Sequence, residues 1–509
     1  MSFLKAVTMV GGSTLLSRVL GLIRDILTAV FLGAGPASDA FFIAFKLPNF
    51  FRRITAEGAF SFAFVPMFSK MLENKKLARE FAEDAQAVMI AFLLPFTIII
   101  VIAMPWILHI VAPGIANDPA RFDYAVEFSR ITFPFIFIVS LTALLGGVMN
   151  SLHKFAAFAL APVFLNIVLI GALLLSKRFF PTAAHAMSYG VIVAGIVQLL
   201  WMLINIHRAG FSLRLKLPRI TPQVKRMFNL MGPGILGALA SQMNMFIDMF
   251  LSSMLPIGSI SYLYYADRLY ELPLGVIGVA VGTALLPMLS KAIKNNDGSE
   301  RELLSNACEA SFALSLPSAL GLMILAQPIM TVLFERGEFT HDDAIKSSYA
   351  LIAYSIGIPA FVWARTFSTS FFAREDTKTP VKIGIVCAVV NIVLAILLII
   401  PLKHVGIALA TSIAMWLNFA MLIYSMKKRG YLHLTKKVWI RVSKIALSGF
   451  VMAAVAWGLN AYLFRADLGQ FAIIAELAGM IAISGLVYFA SLYFFGIFNL
   501  VSLKRFLKR

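Results

Sequence analysis

Residues 383–401 read IGIVCAVVNIVLAILLIIP, nineteen positions without one charged side chain. A helix of that length rises about 28 Å at 1.5 Å per residue, which matches a hydrocarbon core of roughly 30 Å. Apolar stretches with at most one charged side chain occupy 87–112, 158–176, 405–426, 445–464 and 470–497. The chain as a whole agrees: of 509 residues, 60% are hydrophobic and 14% charged, where a soluble domain carries about 25% charged residues. The N-terminal apolar stretch lacks an A-x-A-like cleavage pattern and holds arginines, so it reads as a helix rather than a signal peptide.

The periodicity predicts an all-α polytopic membrane protein with about 14 transmembrane helices. The segments fall at 6–33, 38–70, 82–112, 119–149, 158–176, 184–206, 224–255, 259–291, 302–335, 342–373, 381–401, 405–427, 437–463 and 469–497. Segments longer than 25 residues are expected to protrude, tilt or bend. Alternate connections carry 29 and 6 Lys+Arg. By the positive-inside rule this asymmetry places both termini in the cytoplasm. The net charge of +19 therefore reports topology and contact with anionic membrane lipids, and not nucleic acid.

Two halves of the chain repeat. Pro66-Met67-Phe68-Ser69-Lys70 recurs as Pro287-Met288-Leu289-Ser290-Lys291, and Asn166-Ile167-Val168-Leu169 as Asn391-Ile392-Val393-Leu394. The offset covers six helices, an even number, so both copies keep one orientation. The expected organisation is an N-lobe (1–210) and a C-lobe (211–430), each of six helices and related by a parallel repeat. Two extra C-terminal helices and a basic tail follow (431–509). Transporters built this way place substrate at the repeat interface.

Several function classes drop out. The sequence contains no G-x-x-x-x-G-K-[ST] loop, no dinucleotide fingerprint and no H-E-x-x-H. The two cysteines, Cys308 and Cys387, sit in apolar surroundings and suggest neither a disulfide framework nor a metal motif. No acidic or histidine cluster suits a membrane enzyme acting on polyprenyl phosphates. A transporter is expected, with no resident cofactor.

Nine basic residues fall inside proposed helices: Arg18, Arg24, Lys46, Arg52, Arg53, Arg130, Arg268, Lys346 and Arg365. A charge at mid-bilayer costs about 2.5–3.5 kcal/mol on insertion scales, so such residues need a partner or a wet cavity. In the first helix Ser17 and Arg24 share a face, as do Arg18 and Asp25, with Gly21 as a bending point. In the second, Asp39, Phe42, Lys46, Asn49 and Arg53 form one stripe with Arg52 beside it. Pro48 kinks this helix, and the spacing does not choose between Arg52 and Arg53. In the eighth, Ser261, Tyr264, Arg268, Glu271 and Gly275 follow the 3-4-3-4 rule.

A cavity lined by Arg18, Arg24, Arg52 and Arg268 suits a diphosphate, because a guanidinium forks onto phosphate oxygens. A cationic-drug exporter would favour carboxylates. The alternative is internal ion pairs, Arg24–Asp39 or Arg268–Glu271, that lock helices together. Arg130, Lys346 and Arg365 are expected to snorkel or pair. Asp248, with Asn391 and Thr411, offers oxygen ligands for a small cation; a hydrogen-bonded helix contact is the competing account.

The run Ser17-Arg18-Val19-Leu20-Gly21 with Arg24-Asp25, then Gly33-Ala34-Gly35 and Ser38-Asp39-Ala40-Phe41-Phe42, resembles the MurJ (MviN) lipid II flippases. So do Lys46-Leu47-Pro48-Asn49, Arg52-Arg53, Ala56-Glu57-Gly58-Ala59-Phe60, and Tyr264-Tyr265-Ala266-Asp267-Arg268 with Glu271. The resemblance implies a fourteen-helix member of the multidrug/oligosaccharidyl-lipid/polysaccharide exporter superfamily. It implies transport of lipid II, the undecaprenyl-diphosphate-linked peptidoglycan precursor, across the bacterial inner membrane for cell-wall synthesis. Arg18, Arg24, Arg52 and Arg268 match the family's substrate arginines, which selects Arg52 over Arg53. Asp25, Asp39, Asn49, Ser261 and Glu271 match cavity or gate positions. Asp248, Asn391 and Thr411 match a sodium site described for some members, but Ala395 stands where that site has a second carboxylate. The resemblance also implies sodium or the membrane potential as driving force, and cell-wall synthesis proteins as partners.

Overall fold

The computed structural model describes residues 3–53, 60–295, 298–432, 435–464 and 469–497. Ala56 to Ala59 of the motif above and the basic tail 504–509 lie outside them. Every regular element among the described residues is helical, as the periodicity predicts. The chain divides into two compact units, Met1–Ser261 with Gly337–Phe339, and Tyr262–Arg336 with Thr340–Arg509.

The first unit holds α1 (Phe3–Leu32), α2 (Pro36–Arg52), α3 (Ser61–Met71), α4 (Lys75–Ile102), α5 (Met104–Val111) and α6 (Pro113–Ala116). It continues with α7 (Pro119–Thr132), α8 (Phe135–Ser151), α9 (Phe155–Ala159), α10 (Ala161–Phe179), α11 (Ala183–Arg208) and α12 (Pro222–Ser253). The first turn of α13 (Ser259–Pro273) closes it. Phe60, Phe64 and Phe68 recur every fourth residue, so their rings stack down one face at 5.0 and 5.3 Å, and Phe81 of α4 joins them at 5.5 Å. Helix α12 packs on α3, α4, α5 and α6, which is why it belongs to this unit although the repeat counts it with the second copy.

The second unit follows α13 through a wide π-type turn, Leu274–Gly278, into α14 (Val279–Asn295). Then come α15 (Glu300–Ile324), α16 (Ala326–Phe334), α17 (His341–Ser355), α18 (Ile358–Phe372), α19 (Lys378–Lys428), α20 (Lys436–Leu463) and α21 (Gln470–Phe494). Trp363 anchors its core, stacked between Phe312 at 4.3 Å and Phe419 at 4.9 Å, with its indole N–H donating to the Cys308 carbonyl at 3.1 Å. Cys308 and Cys387 are both free and buried.

The long segments break where proline or strained backbone demands it. Pro105 and Pro359 sit in the first turns of α5 and α18, where a missing N–H does no harm. Pro134 separates α7 from α8. In segment 38–70, α2 runs to Arg52 and α3 begins at Ser61, and residues 54–59 between them lie outside the described residues. Within α19, Lys403 takes φ 50° and ψ −130° just after Pro401, so two helices meet there as expected. Among the described residues, nine helical segments are long and apolar enough to cross a membrane. With α19 taken as two, and the charged segments α1, α2–α3, α12 and α13–α14 added, the set is consistent with fourteen.

Candidate substrate-binding site

Helix α1 runs through Gly21 as one element, and Asn166 of α10 lies against it there. Arg24, 8% exposed, turns back on its neighbour: its Nε and Nη2 donate to Asp25 Oδ1 at 3.0 and 2.7 Å. Its Nη1 donates to Asn166 Oδ1 at 2.9 Å, while Asn166 Nδ2 donates to the Ser17 carbonyl at 2.9 Å. Ser17 and Arg24 thus share a face, as their spacing of seven requires. Arg18 and Asp25 share the same spacing but not the same surroundings, since Arg18 is exposed and Asp25 buried. The Arg24–Asp39 pair considered above does not form in this arrangement; Asp25 is the nearer carboxylate.

Asp39 enters the first turn of α2 behind Pro36 and Ser38. It is fully buried. Its Oδ1 accepts from the backbone N–H of Ser261 at 3.0 Å and from the Ser261 hydroxyl at 2.7 Å. Its Oδ2 accepts from the Gly258 N–H at 2.8 Å and from Arg121 Nη2 at 3.2 Å. The carboxyl group of one helix therefore caps the N-terminus of another, where free N–H groups and the helix dipole favour negative charge. Ser38 and Ser261 meet through their hydroxyls at 3.0 Å.

At the other end of α2, Asn49 Nδ2 donates to the Phe45 carbonyl at 2.8 Å, which points its oxygen at Arg52. Arg52 Nε donates to that oxygen at 3.1 Å. Arg53 is exposed. In the second unit, Arg268 lies over the Tyr264 ring at 5.0 Å and beside Glu271 at 3.5 Å and Asp267 at 3.7 Å. Its side chain is one-third exposed, and a cation–π contact and two ion pairs help hold it.

The family model for the lipid II flippase MurJ matches residues 28–476. The chain belongs to the MurJ lipid II flippase family. A probable lipid II flippase MurJ of Rhizobium meliloti (strain 1021) is 39% identical, over 100% of this chain and 97% of that protein. One from Vibrio cholerae serotype O1 is 36% identical, over 97% and 96%. A solved lipid II flippase MurJ in an inward closed conformation superposes with a TM-score of 0.81 at 29% identity, covering 96% of this chain and 98% of that one. An inward-facing multidrug resistance MATE transporter shares the fold, with a TM-score of 0.68 at 15% identity, over 85% and 96%.

Two members of these clusters escape sequence reading. Arg121 looks like a loop charge, and Asn166 like part of a repeated apolar word. Arg121 is 4% exposed and completes the Asp39 cluster. No local pattern points to either partner, because each contact closes over at least 82 residues. Arg130 and Lys346 pair as expected, with the Val101 carbonyl and Asp342 respectively.

The suggested cation donors lie in α12 and α19. Thr411 donates its hydroxyl back to the Ile407 carbonyl at 3.2 Å. Asn391 is buried, and its Oδ1 accepts no hydrogen bond among the described residues. With Ala395 between them, α19 offers two neutral side-chain oxygens and no carboxylate.

Proposed function

We propose that this protein carries lipid II from the cytoplasmic to the periplasmic leaflet of the bacterial inner membrane by alternating access, supplying peptidoglycan synthesis. The observation that carries this reading is the state of its arginines. Arg24, Arg52 and Arg268 are each oriented by neighbours: Arg24 by Asp25 and Asn166, Arg52 by Asn49, and Arg268 by Tyr264, Asp267 and Glu271. A guanidinium oriented by its neighbours matches the oxygens of a diphosphate bidentately. Arg18, exposed on α1, joins them in this reading. No bond in the cargo is made or broken, so the function is transport and not catalysis.

The Asp39 cluster is the latch in this scheme. Its four hydrogen bonds hold the starts of α2 and α13 together, and opening on the periplasmic side requires breaking them. The polyprenyl tail stays in an apolar groove of the second unit, between α13, α15, α16, α20 and α21. That groove has a volume of about 460 Å³ and is lined by Leu269, Pro273, Leu314, Met452, Tyr488 and Phe489 among others. Both termini are cytoplasmic, and the membrane potential drives the cycle, at about 2.3 kcal/mol per charge per 100 mV.

Depletion of the protein tests the reading directly. Lipid II should accumulate on the cytoplasmic leaflet, read by its protection from an added periplasmic-side modifying enzyme. Unchanged translocation in depleted cells overturns the proposal.

A further inference from the structure

Arg365 sits near the middle of α18, in the segment His341–Phe372. An 18-residue apolar stretch of that segment is 78% buried, the highest share among the nine apolar spans. Helix α18 is covered on nearly every side; the residues that are not buried are Phe361, Arg365, Ser368 and Phe372, a single narrow stripe at 4-3-4 spacing. Arg365 is the exposed cation of that stripe. A helix facing lipid shows a broad apolar face, as α4 and α19 do at 22% buried. An arginine on a thin stripe of an otherwise enclosed helix faces water instead.

Its surroundings fix where it stands. A Cβ added at Gly278 would lie 3.5 Å from Arg365 Cδ, and one at Gly282 would lie 3.3 Å from Arg365 Nε. The two glycines therefore form a trough in which the side chain lies, at the wide turn between α13 and α14. Among the described residues the guanidinium has no ion pair and no hydrogen bond. A guanidinium that faces water with no partner in the chain keeps its donors for an anion from outside the chain.

The sequence spacing Arg268, Glu271, Gly275, Gly278, Gly282 is 3-4-3-4. Arg268 on α13 and the glycine trough are joined in sequence through the π-type turn Leu274–Gly278. Ten to fourteen residues at 1.5 Å each make a separation of about 15–21 Å. The second unit then presents two cations in a row, too far apart to hold one diphosphate together.

We propose that Arg365 is a specificity-determining residue that binds a carboxylate on the peptide of the cargo head group, while the diphosphate is held at the other arginines. The inference rests on the lipid II reading and extends it to the far end of the head group. A guanidinium and a carboxylate match as a bidentate pair, and a peptide extending from the sugar covers the distance with a few residues at about 3.3 Å each.

Binding titrations of the purified full chain in nanodiscs test this. The ligands are lipid II with its peptide carboxylates free, lipid II amidated at the terminal carboxylate, and lipid II amidated at the side-chain carboxylate. The wild type should bind the free form about 10-fold more tightly than one of the amidated forms, and that form identifies which carboxylate is read. Arg365→Gln should abolish the preference and leave binding of the amidated form unchanged. Arg365→Lys, which keeps the charge but not the fork, should retain part of it. Equal binding of all three ligands by the wild type, or a preference that survives Arg365→Gln, overturns the assignment and leaves the lipid II reading standing. Failure of the wild type to bind any of the three overturns both.

Discussion

Asp39 and Arg121 meet at 3.2 Å across 82 residues of sequence, with the Asp39 side chain fully enclosed and that of Arg121 5% exposed. Removing one partner of such a pair leaves the other buried and uncompensated, at a cost of about 3–5 kcal/mol. The Arg121 Nε already lacks an acceptor among the described residues, so the guanidinium depends on Asp39. Asp39→Asn and Arg121→Gln should each lower the unfolding temperature and abolish transport. The double substitution should recover part of the stability, with a coupling of about 0.5–3 kcal/mol. Simple additivity in a thermal-shift cycle would show that the pair does not act as a unit.

Arg24 divides its donors between Asp25 and Asn166. An ammonium cannot span both in one plane. Arg24→Lys should keep the protein inserted but lower lipid II translocation in reconstituted vesicles by about 10-fold or more. Full activity of the lysine variant would reduce Arg24 to a positive charge without geometry.

Gly33 and Gly337 both adopt φ +61°, and each lies against the backbone of the other's loop. A Cβ on Gly33 would sit 2.3 Å from the Glu338 carbonyl oxygen, and one on Gly337 would sit 2.3 Å from that of Val30. The same Val30 carbonyl accepts the Glu338 N–H at 2.9 Å. Gly33→Ala and Gly337→Ala combine backbone strain of about 1–3 kcal/mol with that clash, so each should lower the unfolding temperature sharply. Gly35→Ala is the control: nothing lies within 4 Å of its added Cβ, and stability should barely change.

Asp376, in the turn between α18 and α19, titrates with consequences for stability. Burial pushes its carboxyl up, but the Thr379 hydroxyl and N–H and the Arg429 guanidinium outweigh that and hold it below the ordinary 3.8. A depressed value in the folded state means that the stabilisation is fully present above the ordinary value. It is lost as pH falls through the folded-state value. Thermal unfolding followed from about pH 6 to about pH 3 should show this loss, and Asp376→Asn should flatten that part of the profile. An unchanged acid limb in the variant would rule out the contribution.

Much of the site was legible because helical geometry is local. Spacing of seven put Ser17 and Arg24 on one face, and both do meet Asn166. Spacing of three paired Arg268 with Glu271. Proline marked where the long segments break, since a missing N–H acts on the helix that contains it. The sequence did not indicate that Asn49 is bonded to Arg52.

Length, apolar runs and charge asymmetry alone determine that this is a polytopic helical membrane protein with cations inside its helices. Those quantities answer to the bilayer, which judges each segment separately. Only the tertiary structure decided which charges are neighbours. Asp39 caps α13 and meets Arg121 rather than Arg24, Asn166 orients Arg24, and Arg365 lies against Gly278 and Gly282. Each of these contacts joins helices distant in the chain, and no periodicity within one helix encodes what a second helix brings against it.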